Sequence, residues 1–126
     1  RIIQKLESNQ IINMFSDQII TPTFIDDIVN ALNKAMEQKP KGIFHCVGST
    51  SLSPYELALK TAKTFNLNSS LIIKSSFREF FKNNPNKRPR QINLSLSNQK
   101  LQKEFGIKMS TIDEALEAIK KQQLLQ

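Results

Sequence analysis

The chain has 126 residues, 39% of them hydrophobic, which is enough for one domain with a core and too short to expect two. No apolar run approaches the ~18 residues of a membrane span, and the single cysteine excludes an internal disulfide framework and a cysteine-cluster zinc site. The net charge of +7 raises the question of a nucleic-acid or phosphate partner, although three glycines are too few for a glycine-rich phosphate loop.

Four elements are predicted before residue 43. They are a helix end at 1–9, short strands at 11–15 and 19–20, and a helix at 24–38. Thr23 is placed to cap that helix, because Asp26 follows three residues later in a capping-box position. Asp27 adds a favourable charge at the positive end of the helix dipole.

The middle of the chain predicts one buried strand and one helix. Residues 43–47 form an apolar run interrupted only by His45. Apolar residues on both faces are typical of a strand in a parallel sheet that is covered on both sides. Ser53 then caps a helix with Pro54 at its first position and Glu56 at its third. Its predicted buried stripe is Leu57, Ala58, Thr61, Ala62 and Phe65.

The last third predicts short elements around a polar loop. They are a strand at 71–74, an aromatic helix or turn at 77–81, a loop at 83–90, an extended segment at 94–96 and two helices. Ser97 is expected to cap the first helix, which ends at Gly106, and Ser110 with Asp113 to cap the second. Residues 120–126 are expected to fray.

The order of these elements is that of an α/β fold in which helices flank short strands. A parallel sheet of so few strands would be a poor free-standing domain, and the first helix arrives with no strand before it. We therefore expect the 126 residues to be the end of a longer protein.

The positive charge is concentrated in one segment. Residues 74–90 contain six basic residues and one acidic residue, whereas residues 1–73 contain seven and six, and residues 91–126 five and four. The loop is therefore cationic on a nearly neutral body, which favours a local anionic ligand over a generally basic surface.

Three blocks of sequence resemble one family. They are DQIITPTFIDDIVNAL (17–32), KGIFHCVGSTSLSPYELALKTAKTF (41–65) and KRPRQINLSLSNQKLQKEFGI (87–107). In this order and spacing they are similar to the C-terminal, substrate-binding part of the dTDP-4-dehydrorhamnose reductase family. That family belongs to the extended short-chain dehydrogenases, or NAD-dependent epimerases and dehydratases, which have a Rossmann-like fold. The regulatory β subunit of methionine adenosyltransferase shares the same blocks.

The resemblance implies that residues 1–126 are a single substrate-binding domain of an NAD(P)-dependent oxidoreductase that reduces a 4-keto sugar nucleotide. Family members bind NAD or NADP through a glycine-rich turn and use a Tyr-x-x-x-Lys pair. Neither motif is present, because the only tyrosine, Tyr55, has Leu59 at the lysine position. The resemblance thus implies that the cofactor-binding Rossmann half and the catalytic acid lie outside this chain. No catalytic, cofactor-binding or metal-binding residue is expected within it, and we expect no turnover by the chain alone.

Arg88 is the first candidate for substrate binding. The resemblance puts it near the position of a family arginine that pairs with the pyrophosphate of the sugar nucleotide, and a guanidinium offers two parallel donors to phosphate oxygens. Arg90 is a second candidate, and Lys87 is either a helper or exposed to solvent. The alternative for all three residues is a solvated basic loop.

Thr23 is the remaining candidate for substrate binding. The plain interpretation of Thr23 and Asp27 is a helix cap and a charge at a helix N-terminus. The functional alternative is that their turn borders the substrate cleft, because ligands of such sheets bind at the carboxyl ends of the strands.

Other residues are predicted to be structural. His45 has no second ligand at a metal-binding spacing and is expected to be a packed histidine, and Cys46 a small buried residue. Phe77, Phe80 and Phe81 beside basic residues resemble a stacking platform for bases, but their spacing favours the buried stripe of a short helix.

The expected partner is a nucleotide sugar, with a dTDP-sugar first, in the cytoplasm and without nucleic acid or membrane; a homodimer is left open. Three alternatives remain. One is epimerase or dehydratase chemistry on the same scaffold, and another is a non-catalytic regulatory subunit. The third is a basic nucleic-acid-binding module, against which the neutral body argues.

Overall fold

The computed structural model describes residues 1–88 and 90–125, in which helices surround a pair of parallel strands. In chain order the elements are α1 (Ile2–Glu7), β1 (Ile12–Phe15), α2 (Ile25–Gln38), α3 (Pro54–Thr64), a 3₁₀ turn (Ser69–Leu71), β2 (Ile72–Ser75), α4 (Phe77–Lys82), α5 (Gln99–Phe105) and α6 (Ile112–Leu124). The α/β class is confirmed, with helices flanking short strands. No helix within the described ranges is long and apolar enough to cross a membrane.

Strands β1 and β2 are paired in parallel, with Ile12 opposite Ile72 and Phe15 opposite Ser75. Parallel strands need a long connection, and here α3 within that connection packs on the pair. The shared core consists of Leu6, Ile12, Ala58, Ala62 and Ile72. Because the strands run in the same direction, their carboxyl ends open at one edge, where the chain continues into Ser16 and Ser76.

Two smaller apolar clusters attach the remaining helices. Helix α2 meets α5 through Ala31, Leu101 and Phe105, with Met109 beside them. Helices α3 and α6 contact each other, and Leu52, Ile112 and Leu116 form the third cluster. Each short helix is thus held by tertiary packing, because helices of six to fourteen residues are marginal by themselves.

The predicted strand at 43–47 is not part of a sheet. Within the described residues, its backbone makes no hydrogen bond to another strand. Phe44 and Cys46 pack inward beside the α2–α5 cluster, whereas Ile43 is 80% exposed and His45 is exposed. The prediction of a covered strand with a packed histidine is therefore wrong for this chain. The side chains alternate as in a strand, but no strand or helix of the described chain covers the outer side.

Helix α2 carries a line of apolar side chains, and most of that line faces solvent. Ile25, Val29, Leu32 and Met36 are all at least half exposed, and Met36 is 72% exposed. They recur at intervals of four, three and four residues, so they form one line along the helix. We call this line together with residues 43–47 the open face.

The helix caps are predicted correctly in one case out of four. Ser53 and Glu56 form the expected capping box of α3. Ser97 and Ser110 are each one residue too early, because Asn98 and Thr111 are the N-cap residues of α5 and α6. Helix α6 is also longer than expected, since it continues to Leu124 instead of fraying from residue 120, and Gln126 lies outside the described residues.

Thr23 does not cap α2. The N-cap residue is Phe24, which has no side-chain capping bond, and the hydroxyl of Thr23 instead accepts the Gly48 N–H at 3.2 Å. The buried Asp27 accepts from the backbone N–H of Ser110 at 2.7 Å and from its hydroxyl at 3.1 Å. Both side chains hold distant segments of the chain together, which helical spacing alone does not indicate.

Candidate substrate cavity

A cavity of about 800 Å³ opens beside the carboxyl ends of β1 and β2. It is lined by Arg1, Phe15, Gln18, Phe77, Phe80, Phe81, Lys87, Arg88 and Arg90. These residues divide into an aromatic wall (Phe15, Phe77, Phe80 and Phe81), a basic rim (Arg1, Lys87, Arg88 and Arg90) and one amide. A cavity that combines an apolar wall with convergent polar groups is typical of a small-molecule site.

Asp17 connects β1 to the helix that carries most of the wall. Its carboxylate accepts from the backbone N–H of Phe77 at 2.5 Å, from the N–H of Arg78 at 3.2 Å and from the hydroxyl of Ser76 at 2.9 Å. The first amides of α4 would otherwise lack acceptors, and a negative charge there also favours the helix dipole. The aromatic wall is therefore positioned by a residue sixty positions away in sequence.

The pKa of the Asp17 carboxyl lies below its usual value of 3.8. Burial acts to raise this pKa, but the hydrogen bonds from Phe77, Arg78 and Ser76 together lower it by more. A carboxyl whose pKa is lower in the folded state stabilises the fold above its unfolded pKa. That contribution is lost as the pH falls through the folded pKa.

Replacing Asp17 with asparagine is expected to lower the free energy of unfolding by about 2 kcal/mol at pH 7, because bonds to a charged acceptor are lost. The difference between the two proteins should begin to shrink as the pH falls below about 4, the pKa of the carboxyl in the unfolded state, and should be lost as the pH falls through the lower pKa of the folded state. Urea denaturation at pH 7 and pH 3 measures both values. An undiminished difference at pH 3 would contradict the role of the charge.

The aromatic wall is held by contacts between its own rings. Phe15 lies edge-on to Phe77 with centroids 5.3 Å apart and to Phe80 at 5.5 Å, and Phe81 lies 4.6 Å from Phe77. Phe77 is buried as predicted, but Phe80 is 37% exposed, so the predicted buried stripe is only partly buried. One side of helix α4 faces the cavity, which leaves part of the Phe80 ring exposed.

The basic rim surrounds this wall. Arg88 and Arg90 are exposed at its edge, and the ammonium of Lys87 lies 5.4 Å from the Phe80 ring centroid. Pro89 lies outside the described residues. Arg1 also lines the cavity, although the sequence pattern gave no reason to select it. Among the described lining residues there is no carboxylate, so the rim presents uncompensated positive charge to a ligand.

Gln18 is a lining residue that the sequence interpretation missed. Its side chain is buried, and its Nε2 donates to the backbone carbonyl of Gln91 at 3.1 Å. Its one signal in the sequence is its place directly after Asp17 in the first resembling block. No residue pattern shows which side chain of that block faces a cavity.

Thr23 lies elsewhere. It lines a different, mainly apolar groove with Phe24, Leu57 and Ile112, and it is not among the residues that line the cationic cavity. The structure thus brings Arg88, Arg90 and Lys87 together but not Thr23.

Neither a metal site nor a reactive thiol is indicated by the geometry of the described residues. Across residues 1–88 and 90–125, no three His, Cys, Asp or Glu side chains are grouped as metal ligands. Burial, and after it the charge of Asp27, raises the pKa of the Cys46 thiol. A thiol with a raised pKa is a poor nucleophile.

Comparison with known proteins supplies a family and a fold. The family model described as RmlD substrate binding domain matches residues 1–124. The structure resembles dTDP-4-dehydrorhamnose reductases from Bacillus anthracis (22% identity, TM-score 0.79) and Clostridium acetobutylicum (21%, 0.78). It also resembles the dTDP-glucose 4,6-dehydratase of Bacillus anthracis (9%, 0.71). No curated protein sequence matches the chain.

These similarities cover nearly all of this chain and less than half of each relative. They include 96%, 97% and 93% of the chain, but 41%, 42% and 35% of the three solved proteins. The chain aligns to the C-terminal portion of these relatives, whose fold is Rossmann-like. The predicted fold is therefore confirmed as the C-terminal portion of an extended short-chain dehydrogenase.

Proposed function

Because the chain belongs to the RmlD substrate-binding domain family, we propose that it is the part of an NAD(P)-dependent reductase that binds a 4-keto sugar nucleotide. The reaction we propose for the whole protein is most like that of dTDP-4-dehydrorhamnose reductase. The observation that carries this proposal is the cavity that combines a basic rim with an aromatic wall.

The chemistry of this cavity suits a nucleoside diphosphate sugar. Such a ligand has a diphosphate with two negative charges or more, a flat base and a polar sugar. Guanidinium groups bind phosphate oxygens in pairs, and aromatic rings accept the face of a base. Arg88, Arg90 and Lys87 would hold the diphosphate, while the aromatic wall would hold an apolar or aromatic portion of the ligand.

The cofactor would be bound mainly outside this chain. A dinucleotide pyrophosphate needs a glycine-rich turn between a strand and a helix N-terminus. Here β1 continues into Ser16 and Asp17, and the Asp17 carboxylate occupies the first amides of α4. The described residues therefore do not fit NAD or NADP.

The proton donor of the reduction would also come from elsewhere in the protein. Tyr55 is packed against the β1–β2 core and has Lys74 Nζ 5.1 Å from its ring centroid. We propose that this chain supplies substrate binding and that the cofactor-binding half supplies the chemistry.

The open face would be the junction with that second half. Ile43 and Met36 are largely exposed, and the 43–47 backbone has no sheet partner within the described residues. A parallel sheet in the rest of the protein would pair with this segment and cover α2. The solved relatives are more than twice as long as their matched portions, which leaves room for such a sheet.

Replacing Arg88 with alanine is expected to weaken dTDP-sugar binding by about tenfold to a hundredfold, because a charge-assisted contact to the diphosphate is lost. Isothermal titration of the full-length protein measures this affinity. Lys82→Ala is the matched control, because Lys82 is an exposed cation at the end of α4 that does not line the cavity. Equal affinities for wild type and the Arg88 variant would remove Arg88 from the site.

Two further measurements separate the alternatives. Consumption of NADPH with a 4-keto sugar nucleotide would support a reductase, whereas sugar conversion without net consumption would favour an epimerase or dehydratase. Binding without any turnover by the full-length protein would favour a regulatory subunit. Nucleic-acid binding should instead weaken steeply with added salt.

A further inference from the structure

Gln18 is almost fully buried at the cavity, with 8% of its surface exposed. Its Nε2 donates to the carbonyl of Gln91, which directly follows the basic rim. This bond fixes the orientation of the amide, because only the nitrogen can donate to a carbonyl. The side chain oxygen, Oε1, and the second N–H of Nε2 are therefore left for other partners.

The Oε1 atom has no hydrogen-bond donor among the described residues. Among those residues, no side-chain nitrogen or oxygen that is closed off from the surface lacks a partner, so Oε1 retains contact with solvent. Gln18 lines the cavity, and a ligand bound there can replace the solvent at this acceptor. The cavity therefore contains an acceptor that a ligand can use, with a donor beside it on the same amide.

The surroundings of this amide indicate what the ligand group is. Phe15 lies three residues before Gln18 and belongs to the aromatic wall that lines the same cavity. A group that fits both must have a flat apolar face and a hydrogen-bonding edge, as a nucleobase does. An accepting oxygen next to a donating nitrogen matches an edge with an N–H next to a carbonyl.

We infer that Gln18 binds the imide edge of a thymine or uracil base, with Oε1 accepting the base N3–H and Nε2 donating to an adjacent base carbonyl. This inference rests on the proposed function, because it assigns a binding residue to the base of the sugar nucleotide proposed there. Gln18 would then determine the specificity for the base, and it would also bind the Gln91 carbonyl at the end of the basic rim.

The experiment must distinguish two roles of Gln18, namely hydrogen bonding to the base and positioning of the basic rim through Gln91. In the full-length protein, Gln18→Leu is expected to weaken dTDP binding by about tenfold, which is the loss of one to two hydrogen bonds. Binding of inorganic pyrophosphate should be unchanged, because that ligand uses only the rim. Gln99→Leu is the control, since Gln99 is an exposed glutamine on α5 outside the cavity.

A second arm needs no change to the protein. dTDP methylated at N3 of the base cannot donate from that nitrogen, so wild type should bind it about tenfold more weakly than dTDP. The Gln18→Leu protein should bind both nucleotides with similar affinity. Isothermal titration serves for all of these measurements.

Each other outcome overturns the inference in a recognisable way. Parallel losses of dTDP and pyrophosphate binding in Gln18→Leu would show that Gln18 only anchors the rim. Unchanged dTDP binding, or equal wild-type affinity for the methylated nucleotide, would remove the base from this amide. If wild type bound neither dTDP nor pyrophosphate, the proposed function itself would fail.

Discussion

Replacing Gly48 with alanine is expected to destabilise the protein by about 3 kcal/mol, because the new methyl group would be forced against backbone atoms. A Cβ at this position would lie 2.2 Å from the carbonyl oxygen of Pro22 and 3.4 Å from that of Ser110. Neither atom belongs to a flexible side chain that could move aside. The close approach also brings the Gly48 N–H to the hydroxyl of Thr23.

The control for this prediction is the glycine that caps α5. Gly106 has a φ of +63°, and apart from its neighbours in the chain no atom of the described residues lies within 4 Å of the place that a methyl group would take there. Gly106→Ala should therefore cost only the backbone strain, about 1 kcal/mol. Urea denaturation of the two variants at pH 7 gives both free energies. Equal losses would show that the backbone of Pro22 moves aside easily and that its contact with Gly48 is looser than described.

The Gly48 contact also shows where the sequence interpretation reached its limit. Helical spacing predicted α2, α3 and α6 within a few residues, because apolar periodicity and local caps such as Ser53 act within one element. The role of Thr23 depends on Gly48, which is twenty-five residues away. No local pattern encodes that contact, so the local role of a cap was the only one available.

In the candidate site too, the residues with a local sequence signal were predicted and those that depend on distant contacts were not. The basic residues of the rim were found because charge is visible in sequence, and Arg88 was singled out through the family resemblance. Gln18 and the cavity-facing side of Phe80 were missed, since both depend on how α4 is positioned. Asp17 fixes that position through bonds across sixty residues, and an aspartate in a turn has many other uses.

The wrong prediction of a strand at residues 43–47 has a different cause. Its apolar side chains predict a segment that is covered on both sides, whereas the described chain covers only the side of Phe44 and Cys46. At residues 43–47 and along α2, the apolar sequence pattern therefore predicts burial, whereas the described structure leaves several of these side chains exposed. Such a disagreement over a continuous surface is expected where a partner surface is absent.

Replacing Val29 with glutamate in the full-length protein is accordingly expected to lower the free energy of unfolding by about 3 kcal/mol, because a charge would be buried without a partner at the proposed junction. Val29 is in the middle of the open face and 51% exposed in this chain. Asn30→Glu is the matched control, since it adds the same charge to the adjacent, exposed position on another side of α2. That variant should change stability by less than about 0.5 kcal/mol.

Thermal and urea denaturation give the two stabilities, and hydrogen exchange gives an independent readout of the same junction. In the full-length protein the amides of residues 43–47 should exchange slowly, because pairing with a neighbouring strand protects them. Val29→Glu should accelerate that exchange, and Asn30→Glu should not. Fast exchange in the wild type, or equal stability of the two variants, would contradict the junction. If protection instead depended on protein concentration, a second copy of the chain would be the partner, and the proposed arrangement of the two halves would be wrong.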